Sequence, residues 1–167
     1  MTMISAQDQF ITEVEGKLII SNSAFNTIIV YDMAKDSLYQ VNYENKLTKS
    51  GKTGKYITEV ESEKDFNNAM NEISQEINFR SPVWDSKNQR YYRFSFEALP
   101  KENLQDEEEK AKSKVYLTIL DQDFKVLGET FVKELQSSPA KHFVKDGKIW
   151  IYENVDDELA FLRLGIN

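Results

Sequence analysis

One strand-turn-strand phrase occurs twice in this chain and is echoed a third time, and that recurrence limits the fold more than any other feature. The first copy reads Gly16-Lys17-Leu18-Ile19-Ile20-Ser21-Asn22, followed by Asn26-Thr27-Ile28-Ile29-Val30-Tyr31-Asp32. The last reads Gly147-Lys148-Ile149-Trp150-Ile151-Tyr152-Glu153-Asn154, followed by Glu158-Leu159-Ala160-Phe161-Leu162-Arg163-Leu164. A looser copy runs from Asn88 through Tyr91-Tyr92-Arg93-Phe94 and resumes at Lys114-Val115-Tyr116-Leu117. A β-unit recurring at long period cannot bury its apolar face alone and stacks on its neighbours. The expected fold is all-β, an array of propeller-like antiparallel sheets.

Three strand blocks follow from the pattern. The first holds Phe10–Val14, Lys17–Ser21, Thr27–Asp32 and Ser37–Asn42, rich in β-branched and aromatic residues. Turn chemistry at Glu15-Gly16, Asn22-Ser23 and Lys35-Asp36 separates them, and such short breaks predict an antiparallel meander. The second block holds Asn78–Val83, Tyr91–Ala98, Val115–Asp121 and Val126–Lys133. The third holds Lys141–Lys145, Lys148–Glu153 and Leu159–Ile166. The expected units are 10–43, 78–134 and 139–167 within one domain of 167 residues.

Between the first two blocks, Tyr43 to Ser62 reads as a polar loop, and a helix follows. Ser62 with Asp65 is a capping-box variant, and Phe66, Met70, Ile73 and Ile77 form one apolar stripe. The helix is expected over Glu63–Ile77, packed on a sheet edge or rim. Leu99 to Ser113, with Asp106-Glu107-Glu108-Glu109, reads as a solvated insertion.

Composition removes several classes of chemistry. A net charge of −7 disfavours nucleic acid. The absence of cysteine excludes disulfides, thiolate catalysis and cysteine-ligated metal sites. No run approaches the roughly 20 apolar residues of a membrane helix. Met1 to Phe10 lacks the basic start and apolar core of a signal peptide.

The remaining motifs carry little chemistry. His142 is the single histidine, no Gly-x-Ser-x-Gly elbow accompanies it, and a structural role is expected. Asp121-Gln122-Asp123 and Asp156-Asp157-Glu158 read as hairpin turns; neither has the spacing of a calcium loop. Gly51-Lys52-Thr53-Gly54-Lys55 has two residues between its glycines where a phosphate-binding loop has four, and reads as a flexible connection. No catalytic residue, metal ligand or cofactor is expected.

The candidate ligand-binding cluster is Arg80, Trp84, Tyr91, Tyr92 and Arg93. Aromatics beside arginines give large contacts at low entropic cost. The same residues also suit a sheet core, with the arginines paired to carboxylates. Strand alternation puts Tyr91 and Arg93 on one face and Tyr92 and Phe94 on the other, so the strand either buries an arginine or exposes aromatics.

Two phrases, Ile77-Asn78-Phe79-Arg80-Ser81-Pro82-Val83-Trp84-Asp85 and Phe143 through Asn154 to Leu164, resemble a bacterial domain-of-unknown-function family. Its members look like six-bladed TolB-like β-propellers and resemble exported lipoproteins. The resemblance implies that this chain is the C-terminal three blades of such a ring, half a propeller with one inter-blade helix. It carries no catalytic residues.

The function expected from this reading is a non-enzymatic binding or scaffold module for a protein or small-molecule ligand. The ligand would sit on loops at the mouth of the channel, including Tyr43–Glu61 and Leu135–Pro139. Two open end faces imply a head-to-tail homodimer, with Ser5–Thr12 completing the partner's third blade, or else the helix covering one face. The alternatives are a propeller hydrolase or lyase, and a fragment with no independent role. The enzymatic reading needs acids on every innermost strand, and Phe10–Val14, Asn78–Val83 and Lys141–Lys145 supply Glu13 alone.

Overall fold

The computed structural model describes residues 7–54, 56, 59–100, 112–139, 141–155 and 158–166. The acidic run Asp106–Glu109, the Asp156-Asp157 turn, Lys55 and the start of the N-terminal segment Ser5–Thr12 lie outside them. The first sheet is a meander of β1 (Gln9–Val14), β2 (Lys17–Asn22), β3 (Ile28–Asp32) and β4 (Ser37–Val41), all antiparallel. Helix α1 (Glu63–Gln75) follows. The middle sheet contains β5 (Asn78–Phe79), β6 (Val83–Asp85), β7 (Arg90–Ala98), β8 (Ser113–Leu120) and β9 (Val126–Phe131). The third contains β10 (His142–Lys145), β11 (Lys148–Val155) and β12 (Glu158–Gly165).

The recurring phrase owes its likeness to one turn. Glu15 and Gly16 have φ of 48° and 78°; Asp146 and Gly147 have φ of 57° and 74°. Two consecutive left-handed residues make the primed two-residue turn whose twist matches that of the flanking strands. Gly147 meets a second demand. A Cβ there would lie 2.9 Å from Asn88 Nδ2, because the turn between β10 and β11 rests on the turn between β6 and β7.

The expected strand Asn78–Val83 is broken in two. β5 and β6 both pair with the same strand, β7, through Asn78↔Phe96 and Phe79↔Ser95, then Val83↔Tyr92 and Asp85↔Arg90. Pro82 has no N–H to give the ladder and restricts the backbone of Ser81, so pairing lapses there and resumes at Val83.

The middle sheet is buried on both faces. Against the first sheet, Tyr91, Leu120 and Phe124 pack on Val14, Ile19, Ile28 and Val30. Against the third, Tyr92, Phe94, Val115 and Leu117 pack on Ile149 and Ile151. This explains why Tyr91 to Phe96 shows no simple polar alternation. Each fully buried large apolar side chain contributes roughly 1.5–3 kcal/mol.

Helix α1 starts as expected: the Ser62 hydroxyl accepts the Asp65 amide at 3.1 Å and donates to the Asp65 carboxylate at 2.6 Å. It ends two residues earlier than the stripe predicts, because Glu76 is already extended. Ala69 and Ile73 are its buried residues, while Met70 is 41% exposed. The helix packs on β7 of the middle sheet.

The described part of the glycine-rich connection, Gly51 to Gly54, is hydrogen-bonded to the first sheet and to the helix. Lys52 N donates to the Ala24 carbonyl and Asn26 N to the Ser50 carbonyl, both at 2.9 Å. Lys52 Nζ donates to the Ile73 carbonyl at 3.1 Å, and the Thr53 hydroxyl donates to Glu76 at 2.6 Å. The helix C-terminus thus holds the loop.

Candidate functional site

The first strands of the three sheets converge. Thr12 on β1 and Ser81, in the break between β5 and β6, bring their hydroxyl oxygens to 3.3 Å. β6 packs beside β10. Trp84 on β6 donates its indole N–H to Glu15, in the first turn, at 3.2 Å. Along this line lie Thr12, Arg80, Ser81, Trp84 and His142, drawn from three different sheets.

Arg80 is half-buried. Its Nη2 donates to the Ser138 hydroxyl at 2.6 Å, and its guanidinium lies 4.8 Å from the centre of the Phe96 ring. Its Nε–H is buried and unpartnered. Burial draws its pKa down, opposed by the Asp8 carboxylate. His142 stands beside it, edge-on to Phe94 at 5.0 Å. Burial lowers the pKa of the imidazole; the backbone of Pro139 and Ser81 opposes this and the Arg80 charge adds to it. A carbonyl only accepts, so Nδ1–H donates to that of Pro139 at 3.1 Å, and Nε2 is buried without a partner at hydrogen-bonding geometry.

The five residues singled out by sequence divide into rim and core. Arg80 and Trp84 reach the rim. Tyr91, Tyr92 and Arg93 are 4%, 0% and 1% exposed. Tyr91 stacks on Phe124 at 4.6 Å, and burial, with Glu15 and Tyr39 acting in the same sense, pushes its phenol up to about 12. Tyr92 donates its hydroxyl to Asp85 at 3.1 Å.

Arg93 resolves the dilemma of its strand: the arginine is buried and the aromatics are buried too. Its acceptors are neutral oxygens and not the carboxylates expected. Nε donates to the Arg80 carbonyl at 2.9 Å. Nη1 donates to the Asn26 carbonyl at 2.7 Å and the Tyr43 hydroxyl at 3.2 Å. Nη2 donates to the carbonyls of Asn22 at 3.0 Å and Phe25 at 3.2 Å. A guanidinium has five N–H donors, so all are used. The plane also lies 4.9 Å from the Phe79 ring centre. Arg93 joins the first sheet to the second.

Of the two loops expected to carry ligand, 135–139 supplies Ser138 and Pro139 to the rim. The other, 43–61, lines a polar cleft of about 470 Å³ with Tyr43, Glu44, Ser50 and Lys52 against Phe25 and Thr27.

Residues 2–131 match the family profile described as a domain of unknown function, DUF4221. The chain belongs to the DUF4221 family. Among solved structures, it is similar to the crystal structure of a DUF4221 family member from Bacteroides vulgatus ATCC 8482 at 1.75 Å resolution. The TM-score is 0.61 at 18% identity, and the match covers 91% of this chain and 43% of that one. The two share a fold, and this DUF4221 chain spans less than half of the longer relative. A comparison with curated proteins finds no match.

The rim of this DUF4221 chain brings a cation, an imidazole and three hydroxyls together: Arg80, His142, Thr12, Ser81 and Ser138. The hydroxyls of Ser81 and Ser138 bond elsewhere, to Thr12 and Arg80, and not to His142. The arrangement sets the half-buried Arg80 cation beside these polar groups, with its Nη2 on Ser138 and its unpartnered Nε–H buried. Thr12, Ser81 and Ser138 had no signal in the sequence, and His142, expected there to be structural, is brought beside Arg80 only by the convergence of first strands.

Proposed function

We propose that this chain is a non-enzymatic binding or scaffold module on a propeller-like plan. The three units 10–43, 78–134 and 139–167 act as blades, with the helix between the first two, and together they make half of a six-bladed, TolB-like ring. The observation that carries the reading is the meeting of the first strands, through Thr12–Ser81 and through β6 against β10, as around a channel axis. Successive sheets of a propeller meet at their inner strands in this way. The stacking of sheets one, two and three in chain order supports the same plan.

The ligand-binding residues in this reading are Arg80 and Trp84 at the rim, supported from behind by Tyr91, Tyr92 and Arg93. A small-molecule or peptide ligand with an anionic group fits Arg80. A second copy of the chain closes the ring. The test is a thermal-shift screen with citrate, inorganic phosphate and acidic oligosaccharides, each recovered afterwards and analysed by mass spectrometry. The reading expects stabilisation by an anion, loss of that stabilisation in Arg80→Ala, and probes recovered unchanged. Conversion of a probe to product, or equal stabilisation of Arg80→Ala, contradicts it.

A further inference from the structure

The two outer sheets each bury one face and leave the other open, and the open faces differ in kind. On the third sheet, alternation turns Ile149, Ile151 and Leu164 toward the middle sheet. The registers Phe143↔Trp150 and Tyr152↔Phe161 place these four aromatics together on the opposite face. Phe143 stacks on Trp150 at 6.2 Å with a 10° interplanar angle. Phe161 meets Phe143, Trp150 and Tyr152 edge-on at 5.8, 6.1 and 6.3 Å. Phe143, Tyr152 and Phe161 remain 42%, 39% and 40% exposed.

Cations frame this cluster. Arg163 lies over Trp150 at 5.3 Å and Lys141 over Tyr152 at 5.7 Å. Lys145 and Lys148 pair on the same face. In a chain of net charge −7, the described strand residues on this face include Lys and Arg and no Asp or Glu, with Asp146 in the turn at its edge.

The first sheet presents the complement. Registers Ile11↔Ile20, Ile20↔Ile29 and Tyr31↔Leu38 align an aliphatic surface on its outer side. Ile11 and Leu38 are each 68% exposed. Glu13 lies on this face, and Asp36 sits at its edge, accepting the Tyr31 hydroxyl at 2.7 Å. No Lys or Arg of the described strands turns to this face, and Lys35, in the same edge turn as Asp36, pairs with Asp32 at 3.4 Å.

We propose that the aromatic, cationic face of the third sheet docks onto the aliphatic, acidic face of the first sheet of a second copy of this chain. The proposal rests on the propeller-like reading above and names the surfaces that close the ring. Each copy gives one face and receives the other, so a two-fold axis generates two equal contacts and leaves neither face open. Self-pairing of the third sheet would set its cations against one another, and self-pairing of the first would do the same with its acids. Apolar surface on the first sheet fills the aromatic cluster, and Glu13 and Asp36 offset Lys141 and Arg163 at its margin.

The test uses sedimentation equilibrium of the whole chain, of Leu38→Lys, of Arg163→Glu, and of an equimolar mixture of the two variants. Both substitutions are at exposed positions, and melting curves check that each variant still folds. The proposal expects a dimer for the wild type, a dissociation constant raised at least tenfold for each variant alone, and a dimer restored in the mixture. In the mixture one wild-type contact survives, and the other sets the introduced lysine of one copy against the introduced glutamate of its partner. A monomeric wild type, sensitivity to Arg163→Glu without sensitivity to Leu38→Lys, or a mixture that fails to pair overturns it. An open series growing with concentration overturns the closed ring. So does a wild-type monomer whose third-sheet face binds a single-stranded oligothymidine instead. A monomer whose stabilisation by citrate still depends on Arg80 overturns the pairing and leaves the binding reading standing. A dimer that no anion stabilises does the reverse.

Discussion

Arg93 Nη1 donates to the Asn26 carbonyl oxygen at 2.7 Å, across 67 positions of sequence, and so holds the middle sheet to the loop before β3. Three further acceptors in the 22–43 region share the same guanidinium. Lysine has three donors and no planar fork, so Arg93→Lys leaves buried carbonyls unpaired. The expected cost is about 2–4 kcal/mol. A thermal melt should show a loss on the order of 10 °C. A shift within about 2 °C, below what one lost kcal/mol gives in a chain this size, would show that the joint is not needed.

Asp85 gives the fold a dependence on acid. Burial alone would raise its pKa, but hydrogen bonds from Asn88, Tyr92 and Lys87 overcome this and hold it below the ordinary value. Its contribution is therefore complete above the unfolded carboxylate pKa, near 3.8, and is lost as pH falls through the lower folded value. Urea denaturation between pH 6 and pH 2 should show wild-type stability falling below about pH 4, and a flatter profile for Asp85→Asn. Parallel profiles would remove Asp85 from the account.

Gly147 and Gly16 occupy the same turn position, with φ of 74° and 78°, yet only Gly147 has a neighbour at contact. Alanine strains both backbones by a similar amount. At Gly147 the new methyl also meets Asn88 Nδ2 at 2.9 Å, and that amide is held by Asp85 at 2.6 Å. Gly147→Ala should therefore destabilise more than Gly16→Ala, by about 1 kcal/mol. Equal losses would show that the turn between β10 and β11 does not lean on the turn between β6 and β7.

Glu76 ties two residues of the preceding loop, Thr53 and Tyr56, to the end of the helix. Burial opposes its ionisation, while Thr53, Tyr56 and Lys52 together hold its pKa down. In Glu76→Ala the Thr53 amide should exchange with deuterium at least about tenfold faster at neutral pH, with exchange in β7 unchanged. Unchanged protection at Thr53 would place the anchor elsewhere.

The all-β plan, the order of strands and the helix cap were legible because each rests on local chemistry. Enrichment in β-branched and aromatic residues marks the strands, turn chemistry marks Glu15-Gly16, and Ser62 with Asp65 marks the helix start. Pro82 was visible too, although its effect on strand continuity depended on which strand lay beside it. Arg93 was legible as a conflict and not as a solution, since its acceptors come from residues 22–43 and Arg80. The rim fared worst. Arg80 and Trp84 stood out by residue type, and so did His142 as the single histidine, whereas Thr12 and Ser138 are ordinary in sequence; all three join Arg80 and Trp84 through tertiary convergence alone. Tyr91, Tyr92 and Arg93 share the composition of a recognition surface, and burial on both faces of β7 decides their place.

The central claim is that these three sheets form half of a ring, closed by a second copy. Light scattering on a sizing column, at micromolar concentration, tests it most directly. The account predicts a mass of two chains. A mass of one chain, unchanged as concentration rises, would contradict it, because both outer sheet faces would then stand open in water.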